Sequence, residues 1–202
     1  MNLSYQKIEA SNKDILIVSF AGQDNGFGGI VRFEFVKFLD KHFPDINRHF
    51  YLDKRLNCYH EGIEGISHNI EDTVDYFKKE FAPYKKIIFI GTSGGGYAAI
   101  LFGSLLKINT VLAFIPQTIR RQTNEHINET FRDLKPHINN VTKYYLYGDP
   151  FITNPRACHC IQHCSRIEDK PNVTVIKIRQ LDMKILANNG ELYKIIHDAI
   201  FL

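Results

Sequence analysis

The residues best suited to chemistry in this chain are Gly91-Thr92-Ser93-Gly94-Gly95. The apolar run KIIFIG (86–91) leads into them, and the small, apolar stretch GGYAAILFGSLL (95–106) follows at once. A Gly-x-Ser-x-Gly turn between a strand and a helix holds a serine in a strained conformation, with glycines where side chains would strike neighbouring backbone. It also places the hydroxyl at a helix N-terminus, whose free N–H groups and dipole favour a developing oxyanion. A phosphate-cradling loop would end in Gly-Lys-Ser/Thr, and Gly-Gly-Tyr stands here instead. The residues therefore point to Ser93 as a nucleophile, and a nucleophilic serine needs a base.

The elements that must hold this turn are legible along the chain. Strands are predicted at 14–20, 48–53, 86–91, 110–115, 142–148 and 173–178, with a possible edge strand at 3–9. Helices are predicted at 33–43, 70–81, 95–106 and 191–201, the last after the break at Asn189-Gly190. Alternation of this kind gives an α/β fold: three layers, with a mainly parallel sheet of six or seven strands between helices. The 202 residues, 44% hydrophobic and 23% charged, suit one domain spanning 1–202. A net charge of +3 and the absence of Lys/Arg runs longer than two give no support to nucleic-acid binding. No apolar segment reaches the roughly 18 residues that span a bilayer, and no signal peptide is recognisable. The expectation is a cytoplasmic protein with four reduced cysteines.

With these residues in view, the chain resembles the α/β-hydrolase fold family over nearly its whole length. More narrowly, it is similar to small bacterial hydrolase-like proteins that accompany surface-polysaccharide genes. The shared features are Tyr59-His60-Glu61-Gly62, the helix start from Ser93 to Ala99, and Pro116-Gln117-Thr118. The resemblance implies functional groups at the carboxyl ends of successive strands, in the order nucleophile, acid, histidine. Asp149, after the strand at 142–148, falls at the acid's place, although Asp before Pro is also a common turn. The oxyanion donors would be the Gly94 N–H and one from the loop after the first central strand, with Gln23 expected as the donor. Gly22, Gly26, Gly28 and Gly29 would give close backbone approach, or serve only as turn glycines.

The base is missing from its implied place. The loop after the last strand, 179–184, contains no histidine. Gln180 or Met183 stands where one belongs, shortly before Leu186-Ala187-Asn188-Asn189-Gly190-Glu191-Leu192. Neither side chain takes a proton at pH 7. His60, His159 and His163 remain as candidates, the last two on an expected helix. His42 and His49 read as solvent-side, His126 and His137 as part of a cap segment, and His197 as a surface or half-buried residue. The cluster Cys158-His159-Cys160-Ile161-Gln162-His163-Cys164 admits a weaker alternative, a metal site drawn from Cys158, Cys160, His163 and Cys164. Otherwise its thiols are small apolar residues packing a helix. The function implied is a serine hydrolase or acyl-transferase acting on an ester, with an acylated saccharide as the candidate substrate and no cofactor. The alternative is a hydrolase fold that binds a small molecule or saccharide without turnover. Oligomeric state is not legible.

Overall fold

The computed structural model describes residues 3–11, 14–23, 32–120 and 126–202. Gly26, Gly28 and Gly29 lie outside the described residues. Among the described residues, seven strands form one sheet in the order β1-β3-β2-β4-β5-β6-β7. They are β1 (Tyr5–Ile8), β2 (Ile15–Phe20), β3 (Asn47–Tyr51), β4 (Lys86–Thr92), β5 (Thr110–Phe114), β6 (Lys143–Gly148) and β7 (Val173–Lys177). Only β1 runs antiparallel, on the edge beside β3; every other pairing is parallel. The helices are α1 (Val36–His42), α2 (Ile70–Phe81), α3 (Gly94–Leu106), α4 (Gln162–Ser165), α5 (Met183–Asn188) and α6 (Glu191–Phe201).

Strand side chains alternate between faces, and so the sheet carries two cores. Leu16, Val18 and Phe20 of β2, Phe89 of β4, and Val111 and Ala113 of β5 pack with α2 and α3. Ile17, Ile88, Ile90, Leu112 and Phe114 face the opposite way, onto Leu39 of α1, Leu186 of α5 and Leu192, Ile196 and Ile200 of α6. The helix α3 is buried nearly all round, as its composition predicts. The helix α2 opens as its sequence suggests: Asn69 caps it by accepting from the Asp72 N–H, with Glu71 and Asp72 in the first turn.

Three expectations are corrected. The segment 158–164 is not one helix: α4 begins only at Gln162, so His159 belongs to the turn before it. His49 is not solvent-side. It is fully buried on β3, with Nε2 2.7 Å from Glu9 Oε1. The helix expected from 33 starts at Val36, because Phe35 takes a left-handed conformation.

Candidate active site

Parallel strands end together, so the loops after β2, β3, β4, β5 and β6 gather along one edge. Ser93 stands at its centre, with φ 55° and ψ −115°. A non-glycine residue there is strained and must be held by its neighbours. The Ser93 N–H donates to the Phe114 carbonyl at 2.9 Å, and its carbonyl accepts from Tyr97 N–H at 3.0 Å. The glycines explain the tightness of the turn. A Cβ on Gly91 would lie 2.2 Å from Gly95 O, and one on Gly94 would lie 2.7 Å from Gln23 Cγ. As the first residue of α3, Gly94 has an N–H without an intrahelical partner. The Gln23 backbone N–H makes no hydrogen bond to a described residue, while its side-chain Oε1 accepts from Arg120 Nη1 at 3.0 Å. Gly22 is placed differently from expectation: its N–H already donates to Glu34 Oε1 at 2.9 Å, so its contribution is space, not a donor.

The histidine opposite the serine is His159. Its Nε2 lies 2.8 Å from Ser93 Oγ. The turn that carries it is fastened on both sides. Cys160 and Cys164 are buried, and Ile161 and Cys164 press onto Gly148 so closely that a Cβ there would lie 2.5 Å from Ile161 Cδ1. Thr118 adds two bonds, its N–H to His163 Nδ1 at 3.2 Å and its hydroxyl to the His163 carbonyl at 2.6 Å. Arg166 of the following turn donates to the Thr118 carbonyl and grips Asp133 with two bonds of 2.7 Å. The Pro116-Gln117-Thr118 segment thus anchors the loop that presents the imidazole.

The other candidates are occupied elsewhere. His60 is buried; its Nδ1 accepts from Asn128 N–H at 3.1 Å, so its Nε2 donates to Tyr97 Oη at 3.0 Å. Tyr97 in turn donates to the Phe131 carbonyl. Burial first, then the Arg120 charge, pushes the His60 pKa down to about 4, so the ring is a neutral structural link. His163 spends Nδ1 on Thr118. The residues of the metal alternative are placed apart from one another in role: Cys158 is exposed, Cys160 and Cys164 are buried in packing, and His163 is turned to Thr118. Among the described residues, no three His, Cys, Asp or Glu side chains converge as a metal site requires.

Asp149 follows β6 as expected and is buried, but its Oδ1 accepts from the Phe151 N–H at 2.9 Å. Among the described residues no hydrogen bond joins it to His159. Burial alone lowers the His159 pKa below 6.5, with no carboxylate to raise it. The neutral imidazole therefore persists to lower pH than in a free histidine. If this ring is the base, the acid limb of the rate should have its midpoint below 6.5, with activity lost as pH falls through it. A kcat/KM profile from pH 4.5 to 8 checks this, and a midpoint above 6.5 would show that a carboxylate engages the ring.

Two neighbours of the site, Asp53 and Arg120, went unnoticed in the sequence, and Cys58 entered only as a supplement to the metal alternative. Asp53 is buried and accepts from the N–H groups of Tyr59 (3.0 Å) and Arg55 (3.2 Å), which holds a turn with Leu56, Cys58 and Tyr59 at positive φ. Cys58 is packed beside Gly94, and burial pushes its thiol up to about 12, far from a reactive thiolate. Arg120 is buried two residues beyond Thr118. The one signal available for it was its place just after Pro116-Gln117-Thr118. A cleft of about 890 Å³ also opens at the other edge of the sheet, lined by Lys86, Lys107, Lys143, Tyr147 and Lys194; neither Ser93 nor His159 borders it.

The sheet order, the serine turn after β4 and the helix that follows define an α/β-hydrolase fold. Solved structures agree. A point variant of the capsule O-acetyltransferase of Neisseria meningitidis serogroup A, in complex with CoA, matches with a TM-score of 0.64 at 13% identity, over 97% of this chain and 92% of that one. Mouse alpha/beta hydrolase domain-containing protein 10 matches with a TM-score of 0.53 at 16% identity, over 97% and 92%. The glycosylation-associated Gap123 complex of Streptococcus agalactiae matches at 0.59 and 15% identity, over 91% of this chain and 42% of that one. No protein-family model matches the chain, and no curated protein does. Among the described residues, no helix is long and apolar enough to cross a membrane.

Proposed function

We propose that the protein transfers an acyl group through Ser93, with His159 as its base, as a serine esterase or O-acyl-transferase. The observation that carries this reading is the 2.8 Å contact between His159 Nε2 and the Oγ of a strained serine. The steps are those of covalent acyl transfer. Ser93 Oγ attacks the ester carbonyl carbon while its proton passes to His159 Nε2. The resulting oxyanion lies by the N–H groups of Gly94 and Gln23. Collapse breaks the ester C–O bond, and the departing alkoxide takes the proton from His159. Water or an acceptor hydroxyl, deprotonated by the same ring, then attacks the acyl-serine, and the proton returns to Ser93 Oγ.

The likeness to a capsule O-acetyltransferase and to a glycosylation-associated complex supports a saccharide as substrate, either as the ester that gives up the acyl group or as the hydroxyl that accepts it. The test is covalent labelling by a fluorophosphonate, with the adduct located by peptide mass spectrometry. Adduct on Ser93, abolished in Ser93→Ala, is the expected result; a folded protein that takes no label between pH 6 and 9 would end the proposal.

One observation favours the second reading, a binding protein without turnover: Asp149 is not bonded to His159. A two-residue site resolves this differently from a triad. Asp149→Asn should lower the labelling rate less than about ten-fold, whereas loss of a working triad acid costs about 10⁴. A loss near the larger figure would mean that Asp149 turns onto His159 during reaction.

A further inference from the structure

Arg120 is a cation buried behind the Ser93 turn, and no carboxylate among the described residues pairs with it. It is 6% exposed. Its Nη1 donates to two neutral amides, Gln23 Oε1 at 3.0 Å and Gln117 Oε1 at 2.9 Å. Its Nε is buried and has no partner, and Nη2 makes no bond to a described residue. Both amides belong to the site: Gln23 packs on Gly94, and the Gln117 N–H lies 3.5 Å from the Ser93 carbonyl oxygen. The carboxylates around the Ser93 turn have other described partners: Asp133 with Arg166, Asp53 with the Tyr59 and Arg55 N–H groups, Glu61 with Asn57 and His126, and Glu34 with the Gly22 N–H. Among the described residues Arg120 forms no ion pair. A guanidinium in such a place is costly unless something supplies the anion. Its planar fork matches a carboxylate or a phosphate, and Nε with Nη2 is one of its two-donor edges.

We propose that Arg120 is the anion-binding residue of the Ser93 site, so that the substrate carries a carboxylate or phosphate group close to the reacting ester. The two glutamine amides hold the guanidinium in place without neutralising it, which leaves its charge for the ligand. This rests on reading Ser93 as the reacting residue, but the anion site can be measured without turnover.

The full chain, as wild type, Arg120→Met and Arg120→Lys, is titrated with inorganic phosphate and, separately, with succinate. Binding is followed by the thermal midpoint and by calorimetry, and protection of Ser93 from fluorophosphonate is measured in parallel. At least one anion should raise the wild-type midpoint and slow labelling. Arg120→Met should weaken that anion about ten-fold or more, with Arg120→Lys intermediate because it keeps the charge and loses the fork. The anion that binds tells phosphate from carboxylate. Arg120→Met should also melt within a few degrees of wild type, as expected for a residue kept for binding; should it not fold, Arg120→Lys carries the comparison. Neither anion binding the wild type, or equal binding to all three proteins, would overturn the proposal. Anion binding that depends on Arg120 with no labelling of Ser93 would sink the serine reading and leave the anion site standing. Labelling that neither anion slows would do the reverse.

Discussion

Replacing His159 by alanine is expected to slow fluorophosphonate labelling of Ser93 by about three orders of magnitude or more. A serine hydroxyl reacts slowly at neutral pH until a base takes its proton, and His159 Nε2 is the ring nitrogen placed 2.8 Å from Oγ. His60→Ala and His163→Ala are the controls. Both rings tie elements together through Asn128, Tyr97 and Thr118. Their loss should therefore lower the melting midpoint while labelling falls less than about ten-fold in the protein that remains folded. The readout is the second-order labelling rate across the variants, normalised to folded protein. If His159→Ala labels as fast as wild type, the dyad is not the reacting pair and another base must be sought.

The second large effect is on stability. Gly95→Ala should lower the folding free energy by about 3–5 kcal/mol, or prevent folding outright. The added methyl would lie 2.1 Å from the Phe20 carbonyl oxygen and 2.9 Å from the Ala21 carbonyl carbon, both backbone atoms of the β2 end. Backbone at the middle of a sheet cannot move aside as a side-chain tip can. For a chain of this size that loss corresponds to a fall in Tm of about 10 °C. Gly65→Ala is the contrast: Gly65 has φ 81° but nothing within 4 Å of the added carbon, so only the left-handed strain of about 1–2 kcal/mol remains. Thermal melts of the two variants beside wild type make the comparison. Equal midpoints for Gly95→Ala and wild type would mean that α3 does not approach β2 so closely.

The same close approach links stability to function. The turn that strains Ser93 is possible because α3 starts against β2, and this contact also brings Gln23 over Gly94. A substitution that lifts α3 would therefore separate the two N–H groups assigned to the oxyanion as well as loosen the core.

Much of this protein is written in local sequence. Short apolar, β-rich runs mark the strands of the sheet, and the strand–turn–helix at Ser93 is announced by its own glycines. Asp149 after β6 follows from counting strands. These are short-range signals, since they depend on residues within a turn or two of one another. The histidine opposite the serine was not legible in that way, and local sequence left three candidates for the proposed base, His60, His159 and His163. His159 lies 66 positions from Ser93, and its approach is set by Gly148, Cys160, Cys164 and Thr118, none of which signals chemistry. The cysteine–histidine cluster read as a possible metal motif is the packing that carries the ring. Arg120 was equally silent, because whether an arginine is a solvated surface charge or a buried cation without a carboxylate depends on what the fold places around it. The sequence by itself determined the sheet, the serine and the order of the strand ends. Which histidine meets the serine, and which charge is left unanswered beside it, only the tertiary structure decided, because both depend on long-range packing that residue spacing does not encode.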